Sequence, residues 1–434
     1  MHMKEAQSLI DDLYIYLKSL PGSHLPKDII ILESQHPNHP ESSQTYVAAC
    51  SKQYLKVYGR SIVWGSGDEL RTMQSDDPWA AIKEFRASAG WIFGFLGYDL
   101  ALKAEERDSD NRSYYEAPDL FFMEPAYLFK IDNSGIEQLS GSKISAGQPY
   151  QSSGFSVKHT APAISKRDYK QTVRDIKHLI REGDFYELNF SYPITAEFKG
   201  EPYELYRKMR EVSPVPFASY VEIEDAGIHV CCSSPERFLR KINNQVISEP
   251  IKGTSARGRD AEEDKRFREE LKSEKNQAEN LMIVDLVRHD LSAVCEPGSI
   301  QVSKLFEIQT FGTVHQLISR VEGTAANDAD PIDVIKACFP MGSMTGAPKI
   351  RVMQRIEELE NYRRGVYSGT IGYITSAGDF DFNVVIRSAI ISGDELVYPV
   401  GGAITGDSDP DEEWNETRIK SKVLELVQNE NEVK

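Results

Sequence analysis

The sequence predicts an α+β fold in which helices alternate with antiparallel strands. Segments with apolar residues at helical spacing are interleaved with short stretches that alternate like strands. The stretch SPVPFASYVEIEDAGIHVCC reads as a hairpin turning near Asp225 to Gly227, which sets neighbouring strands antiparallel. There is no internal repeat and no low-complexity tract, so a solenoid or fibrous architecture is excluded.

Composition agrees. A chain of 434 residues, 40% apolar and 27% charged, is that of a soluble globular protein with a sizeable core. The net charge of -17 argues against nucleic acid or an anionic membrane as a partner. It leaves open a small anionic substrate held in a locally basic pocket or on a metal. No run of 18 apolar residues occurs, and MHMKEAQSLI lacks the basic start and apolar block of a signal peptide, so the expected location is the cytoplasm. The five cysteines (Cys50, Cys231, Cys232, Cys295, Cys338) are odd in number and lack metal-ligand spacing, so reduced, mostly buried thiols are expected.

The chain opens on an amphipathic helix, followed by ILESQ, which reads as a strand end at Glu33 and Ser34. A charged segment runs to Glu84. In GWIFGFLGYDL, residues 90–100, glycines interleave with apolar residues, which predicts a buried strand closely approached by another backbone. An exposed loop over 104–116 leads into the strand-like APDLFFMEPAYLFKID. The Ser, Gly and Lys-rich stretch from Asn133 to Pro162 marks a boundary between an N-terminal region, 1–150, and a second region, 163–430.

The second region starts with a capped helix: Ser165 and Asp168 precede Tyr169, Val173, Ile176 and Ile180 at helical spacing up to Gly183. DFYELNFSYPITAEF then alternates like a strand. From Ser233 to Thr254 a hairpin brings Glu236 and Lys252 toward each other. Lys252 is either an exposed turn lysine or a nucleophile, and the second role needs a lowered pKa; Gly253 beside it leaves room for a substrate. The helical pattern from Ala261 to Leu291 puts Glu279 on one face with Met282, Ile283 and Leu286, either at a wet rim or buried against a cation.

CFPMGSMTGAPK, residues 338–349, offers the hydroxyls of Ser343 and Thr345 between Gly342 and Gly346. It is a tight turn or a weak anion cradle, and without P-loop spacing it implies no nucleotide. RRGVYSGTIGY and DFDFNVVIRSAII read as paired strands, with Arg387 either at an edge or aimed at a carboxylate. The last helix is capped by Asp409 and Pro410 and carries Glu413, Glu416 and Lys420 on one face. That stripe is a solvated face with a Glu416 to Lys420 pair, or a site for a cation shared with Glu279. Two or three carboxylates with water and an anionic ligand suit Mg2+.

Taken together, SPERF (234–238), PIKGT (250–254), ENLMIVDLVRHDL (279–291), GSMTGAPK (342–349), RRGVYSGTIGY (363–373) and DEEWNETRIK (411–420) resemble the chorismate-utilising enzymes. That family includes anthranilate synthase component I, aminodeoxychorismate synthase component I, and the isochorismate and salicylate synthases. The first half matches more loosely, through ILES, GFLGYDL and PDLFFMEP. The resemblance implies two antiparallel sheets packed as a sandwich with helices outside. It implies Mg2+ on Glu279, Glu413 and Glu416, with chorismate as substrate. Tyr367 and Arg387 would grip the pyruvyl carboxylate with Ser343 nearby, and Gly253, Thr254 and Lys420 would complete the substrate site.

Within the family, Glu236 falls at the position of the acid that protonates the departing C4 hydroxyl. PIKGT is similar to the aminodeoxychorismate synthases, where the lysine, here Lys252, attacks C2 and ammonia then enters at C4. That would serve para-aminobenzoate and folate synthesis. Nothing in the chain resembles a glutaminase, so a separate glutamine amidotransferase subunit is the expected ammonia source. Anthranilate synthase component I, with a small residue at the lysine position, is the alternative. Isochorismate and salicylate synthases carry a lysine base where this chain has Glu187. Two positions depart from the family: Gln316 replaces the second residue of a His-His pair, and His289 interrupts Arg-Asn-Asp-Leu. The ILES segment implies a possible tryptophan pocket at Glu33 and Ser34.

Overall fold

The computed structural model describes residues 3–20, 24–35, 44–67, 69–104, 109–143, 150–310, 314–327 and 329–429. Among them every strand pairing is antiparallel, and the pairings join 21 strands into one hydrogen-bonded network. Successive side chains of a strand point to opposite faces, so strands buried on both sides need two cores. Ile30 lies with Ala48, Phe93, Phe121, Val230 and Ile390 in a central core between facing strands. Its neighbours Ile29 and Ile31 instead meet Tyr14, Tyr169 and Tyr203 of the helices Met3–Ser19, Lys166–Arg181 and Pro202–Val212. On the other flank Leu120 and Phe122 pack with Phe85, Ile283, Val287 and Ile335, from the helices Pro78–Ser88, Glu274–Ser292 and Pro331–Cys338. The layering is therefore helices, sheet, sheet, helices, as the resemblance implied.

The two regions are interleaved. Strand Ile29–Glu33 lies between Thr45–Tyr58 and Phe217–Ile223, and Ile92–Leu96 pairs with Thr370–Ile374. The close approach expected of GWIFGFLGYDL is real: a Cβ on Gly94 would stand 1.9 Å from the Phe121 carbonyl oxygen. Thr45–Tyr58 pairs with Leu120–Asp132 and serves both outer cores, with Val47 and Ala49 in one and Leu55 and Val57 in the other. The ladder shifts register between Ser51 and Gln53, the kind of irregularity that bends a strand.

Three segments differ from expectation. The polar stretch 133–162 contains the strands Gly135–Ser140 and Phe155–Pro162, whose side chains are mostly exposed, which hid their period. The charged segment before Glu84 holds the strands Ser61–Ser66 and Glu69–Gln74, the latter exposed throughout. The helix over 261–291 is two, Ala261–Glu270 and Glu274–Ser292, because Ser273 caps the second by accepting from the Asn276 N–H.

Candidate active site

The site is organised around the start of strand Glu187–Gly200. One edge of that strand pairs with Glu395–Ile404 and the other with the two-residue strand Gly346–Ala347. Only glycine fits at position 346, where a Cβ would lie 2.0 Å from the Glu187 carbonyl oxygen. This contact docks the loop 342–349 against the strand and places Ser343 in a short 3-10 turn. Asn189 donates from Nδ2 to the Ser343 carbonyl at 3.3 Å.

Ser343 in turn donates from Oγ to Glu236 Oε1 at 2.7 Å. Glu236 lies between strands Ile228–Ser234 and Arg237–Ile242 and is only 5% exposed. Its backbone is held by Ser234 Oγ, which accepts from its N–H at 3.2 Å, and by the Val384 N–H, which donates to its carbonyl at 3.0 Å. Burial pushes its carboxyl up to about 7, against the lowering effects of the Ser343 hydrogen bond and the nearby Lys252 charge. A carboxyl that still carries its proton near neutrality is suited to donate one.

Lys252, on strand Ile251–Ala256, is buried and donates from Nζ to Glu187 Oε1 at 2.5 Å. Burial alone would lower its pKa, but Glu187 and Glu279 outweigh it and hold the group above its ordinary value. The lowered pKa that a nucleophile needs is therefore not a resting property of this lysine.

Glu279 lies within electrostatic reach of Lys252, Glu187 and Glu416, and its carboxyl is raised, chiefly by burial. Glu413 is buried and pushed up to about 7 by burial, with Glu416 adding to the effect. Glu416 is lowered by Lys420, which bonds it at 2.7 Å and donates to the Gly401 carbonyl at 2.9 Å. All three groups of the last helix surround Gly402, whose added Cβ would be 3.4 Å from Glu413 Oε2, 3.8 Å from Glu416 Oε1 and 3.9 Å from Lys420 Nζ. Among the described residues no group of three or more His, Cys, Asp or Glu side chains is placed to hold a metal ion, so the structure does not bring Glu279, Glu413 and Glu416 together as a ligand set. Glu416 raises both Glu279 and Glu413, a repulsion that a cation also taking oxygens from water and a ligand would relieve.

Arg387 is not inside a strand. It occupies the break between Phe380–Asn383 and Ser388–Ser392 with φ 52°, a strained conformation for a non-glycine residue. Its guanidinium lies within electrostatic reach of Glu236 and makes no side-chain hydrogen bond or ion pair among the described residues. Tyr367 is buried, in the same core as Ile283 and Met344. Gly253 adopts φ 85° immediately after Lys252. The Thr254 side chain lies outside what is described. Glu33 and Ser34 stand apart, lining a second cavity with Tyr46, Phe217, Arg240 and Asp381, and Glu33 accepts from Tyr206 Oη at 2.7 Å.

Among the described residues, Glu187 Oε2, Asn189 Oδ1, Asn280 Nδ2 and both amide atoms of Gln316, which pairs across the sheet with Thr254, are buried without a partner. Native proteins leave few such atoms unmatched away from ligand sites. The direct partnership of Glu187 with Lys252, and the presence of Asn189 and Asn280, were missed from sequence. The available signal was Glu187, Asn189 and Ser191 at strand period within a stretch buried on both faces.

A buried acid that keeps its proton, a buried ammonium and an arginine with no side-chain partner among the described residues have the chemistry to hold a small anion and protonate it. The chain is also similar to proteins of known kind. The chain is 41% identical over 300 residues to a probable chloroplastic aminodeoxychorismate synthase of Oryza sativa subsp. japonica, covering 68% of this chain and 32% of that protein. It is 30% identical over 431 residues to aminodeoxychorismate synthase component 1 of Escherichia coli (strain K12), covering 94% of each. Anthranilate synthase component I from Streptococcus pneumoniae TIGR4 superposes with a TM-score of 0.77 at 28% identity, covering 93% of this chain and 95% of that one. The chain spans about a third to a half of the length of the plant and Streptomyces relatives it matches. The chorismate binding enzyme family matches residues 27–425, through both the interleaved sheets and the site, and the chain belongs to that family.

Proposed function

We propose that this chain converts chorismate and ammonia to 4-amino-4-deoxychorismate, the reaction of an aminodeoxychorismate synthase component I. The observation that carries the reading is the buried Lys252, 2.5 Å from a carboxylate and within reach of the acid Glu236. A small residue there would leave space for ammonia to attack C2 directly. A lysine fills that space and supplies its own amine.

The Lys252 amine forms a bond to C2 while both ring double bonds shift, from C1=C2 to C1=C6 and from C5=C6 to C4=C5, and the C4–O bond breaks. Glu236 gives its proton to the departing hydroxyl, which leaves as water. Ammonia then bonds to C4, the C2–N bond breaks with its electron pair returning to Lys252, and the enolpyruvyl group is retained. Arg387 and Tyr367 bind the pyruvyl carboxylate, with Ser343, Gly253, Thr254 and Lys420 around the substrate. The Arg387 guanidinium, without a side-chain partner among the described residues, supports that role through bidentate recognition of a carboxylate.

Glu279, Glu413 and Glu416 would hold Mg2+, which when bound supplies positive charge to the ring carboxylate. The raised Glu413 and Glu279 carboxyls, each pushed up in part by Glu416, support a cation there. Ammonia would come from a glutamine amidotransferase subunit, and the product would feed para-aminobenzoate synthesis in the cytoplasm. The cavity at Glu33 and Ser34 is the candidate tryptophan pocket.

The test is turnover of chorismate with Mg2+ and ammonium salt, with products resolved by mass spectrometry for wild type and Lys252→Ala. A product that retains the enolpyruvyl group in the wild type and is lost in the variant is expected. Anthranilate from the wild type would favour the anthranilate synthase reading.

A further inference from the structure

We propose that Glu187 is the positioning residue for Lys252 and the acceptor of its proton. Its carboxylate holds the ammonium at the reacting position and takes one proton from it when substrate enters. This inference rests on the reading that Lys252 attacks the substrate.

Glu187 is the only side chain that accepts a hydrogen bond from Lys252 Nζ among the described residues. The two side chains are 1% and 9% exposed, so bulk water is a poor alternative acceptor. The carboxylate is rigidly placed, because Leu188 next to it pairs with Gly346 on one side and Ile404 on the other. Its second oxygen, Oε2, is buried and has no partner among the described residues. An unmatched carboxylate oxygen is costly in a purely structural ion pair, yet it leaves room for a proton.

The other charged groups facing Lys252 do not fit the task. Glu236, on the loop before Arg237, accepts from Ser343 and serves as a proton donor. Glu279, from helix Glu274–Ser292, and Glu416, from helix Pro410–Lys420, act on Lys252 only through space. The neighbouring carboxylates keep Lys252 charged at rest, so attack needs a base in contact.

The protons balance. The ammonium gives one proton to Glu187, leaving a neutral amine and a neutral carboxyl. Attack on C2 makes a secondary ammonium, with the C4 oxygen leaving as water on the proton of Glu236. When ammonia enters at C4, the C2–N bond electrons return to Lys252 as a primary amine. Glu187 then restores the ammonium, and the proton released by the new C4 ammonium replaces the one that Glu236 gave.

The experiment uses the full chain with chorismate, Mg2+ and ammonium salt, comparing Glu187→Gln, Glu187→Asp and Lys252→Ala across pH. Glu187→Gln can still accept a hydrogen bond but not the proton. Its kcat should fall by about 100-fold or more, with KM within about threefold of wild type. Its kcat should also rise about tenfold per pH unit where the wild type is flat, because deprotonation passes to solvent. Glu187→Asp keeps a carboxylate and should exceed Glu187→Gln. A Glu187→Gln kcat equal to or above wild type, or an aspartate variant no better than the glutamine one, overturns the proposal. Should Glu187→Gln fail to fold, the pH profile of Glu187→Asp decides, an unchanged profile with near-zero turnover counting against it. If Lys252→Ala turns over like the wild type, the underlying nucleophile reading fails, whatever Glu187 does.

Discussion

Two buried ionic clusters hang from the same hairpin, and they differ in whether their hydrogen bonds close. Arg237, next to Glu236, donates to Asp381 at 2.9 and 3.0 Å and also to Glu249. Arg320 donates to Glu249 at 3.0 and 2.7 Å. Burial alone would raise Glu249, but Arg237 and Arg320 outweigh it and hold it below its ordinary range. Three residues beyond Glu249, Lys252 has one hydrogen-bond partner among the described residues, and that partner has an oxygen unmatched among them. Charged side chains buried to a similar depth thus give a closed cluster and an open one. A closed cluster has no valence left for a ligand, whereas an open one costs stability that a bound ligand can recover.

Replacing both partners of the open pair tests this difference most severely. Lys252→Met with Glu187→Leu removes two poorly satisfied charges, so unfolding stability should be unchanged or higher by about 1–4 kcal/mol while turnover falls to background. Arg237→Met breaks the closed cluster and leaves Asp381 and Glu249 buried without their shared cation. It should cost about 3–5 kcal/mol. Urea unfolding and product formation on the same samples decide the matter, and equal stability losses would collapse the comparison.

The sequence made the closed cluster almost invisible and the open one partly legible. Arg237, Glu249, Asp381 and Arg320 read as ordinary alternating strand residues, and their pairing depends on which strands meet. Glu236, Lys252, Glu279, Glu413, Glu416 and Arg387 stood out because charged groups interrupted apolar runs or shared one helix face. The α+β class followed from periodicity and the Asp225 to Gly227 turn, where Ile223 pairs with Ile228. Strands such as Glu69–Gln74 were illegible because a strand exposed on both faces has no apolar period. Glu187 was located, but its bond to Lys252 joins residues 65 positions apart and has no local signature.

The next effect concerns Glu236 alone. Its carboxyl is raised from an ordinary 4.5 to about 7, so the donor form prevails below about pH 7 and is lost above it. The wild-type kcat/KM should fall on the alkaline side with an apparent pKa near 7. Glu236→Gln should lower kcat about 10²–10⁴-fold and abolish that limb. Stability follows the same proton: between these values the folded chain binds it and the unfolded chain does not, so unfolding free energy declines as pH rises. Glu413, also near 7, contributes the same sign. Glu236→Gln should therefore flatten, without removing, the decline measured by unfolding at pH 5 to 8.

The smallest effect isolates one hydrogen bond. Ser343 Oγ donates to Glu236 Oε1 at 2.7 Å, and a donor to a carboxylate favours its charged form. Removing it in Ser343→Ala raises the Glu236 carboxyl further, by up to about one pH unit for a bond of about 1 kcal/mol. The alkaline limb of kcat at saturating chorismate should move upward by that amount, with kcat below pH 6 within about threefold of wild type. Loss of a substrate contact at Ser343 would raise KM without moving the limb, so the two consequences separate in one set of profiles. A downward shift would mean that the hydroxyl accepts the proton of a neutral Glu236 rather than donating to its anion. In that case Ser343 would hold the acid protonated, and the open cluster would owe its poised proton to a hydrogen bond as well as to burial.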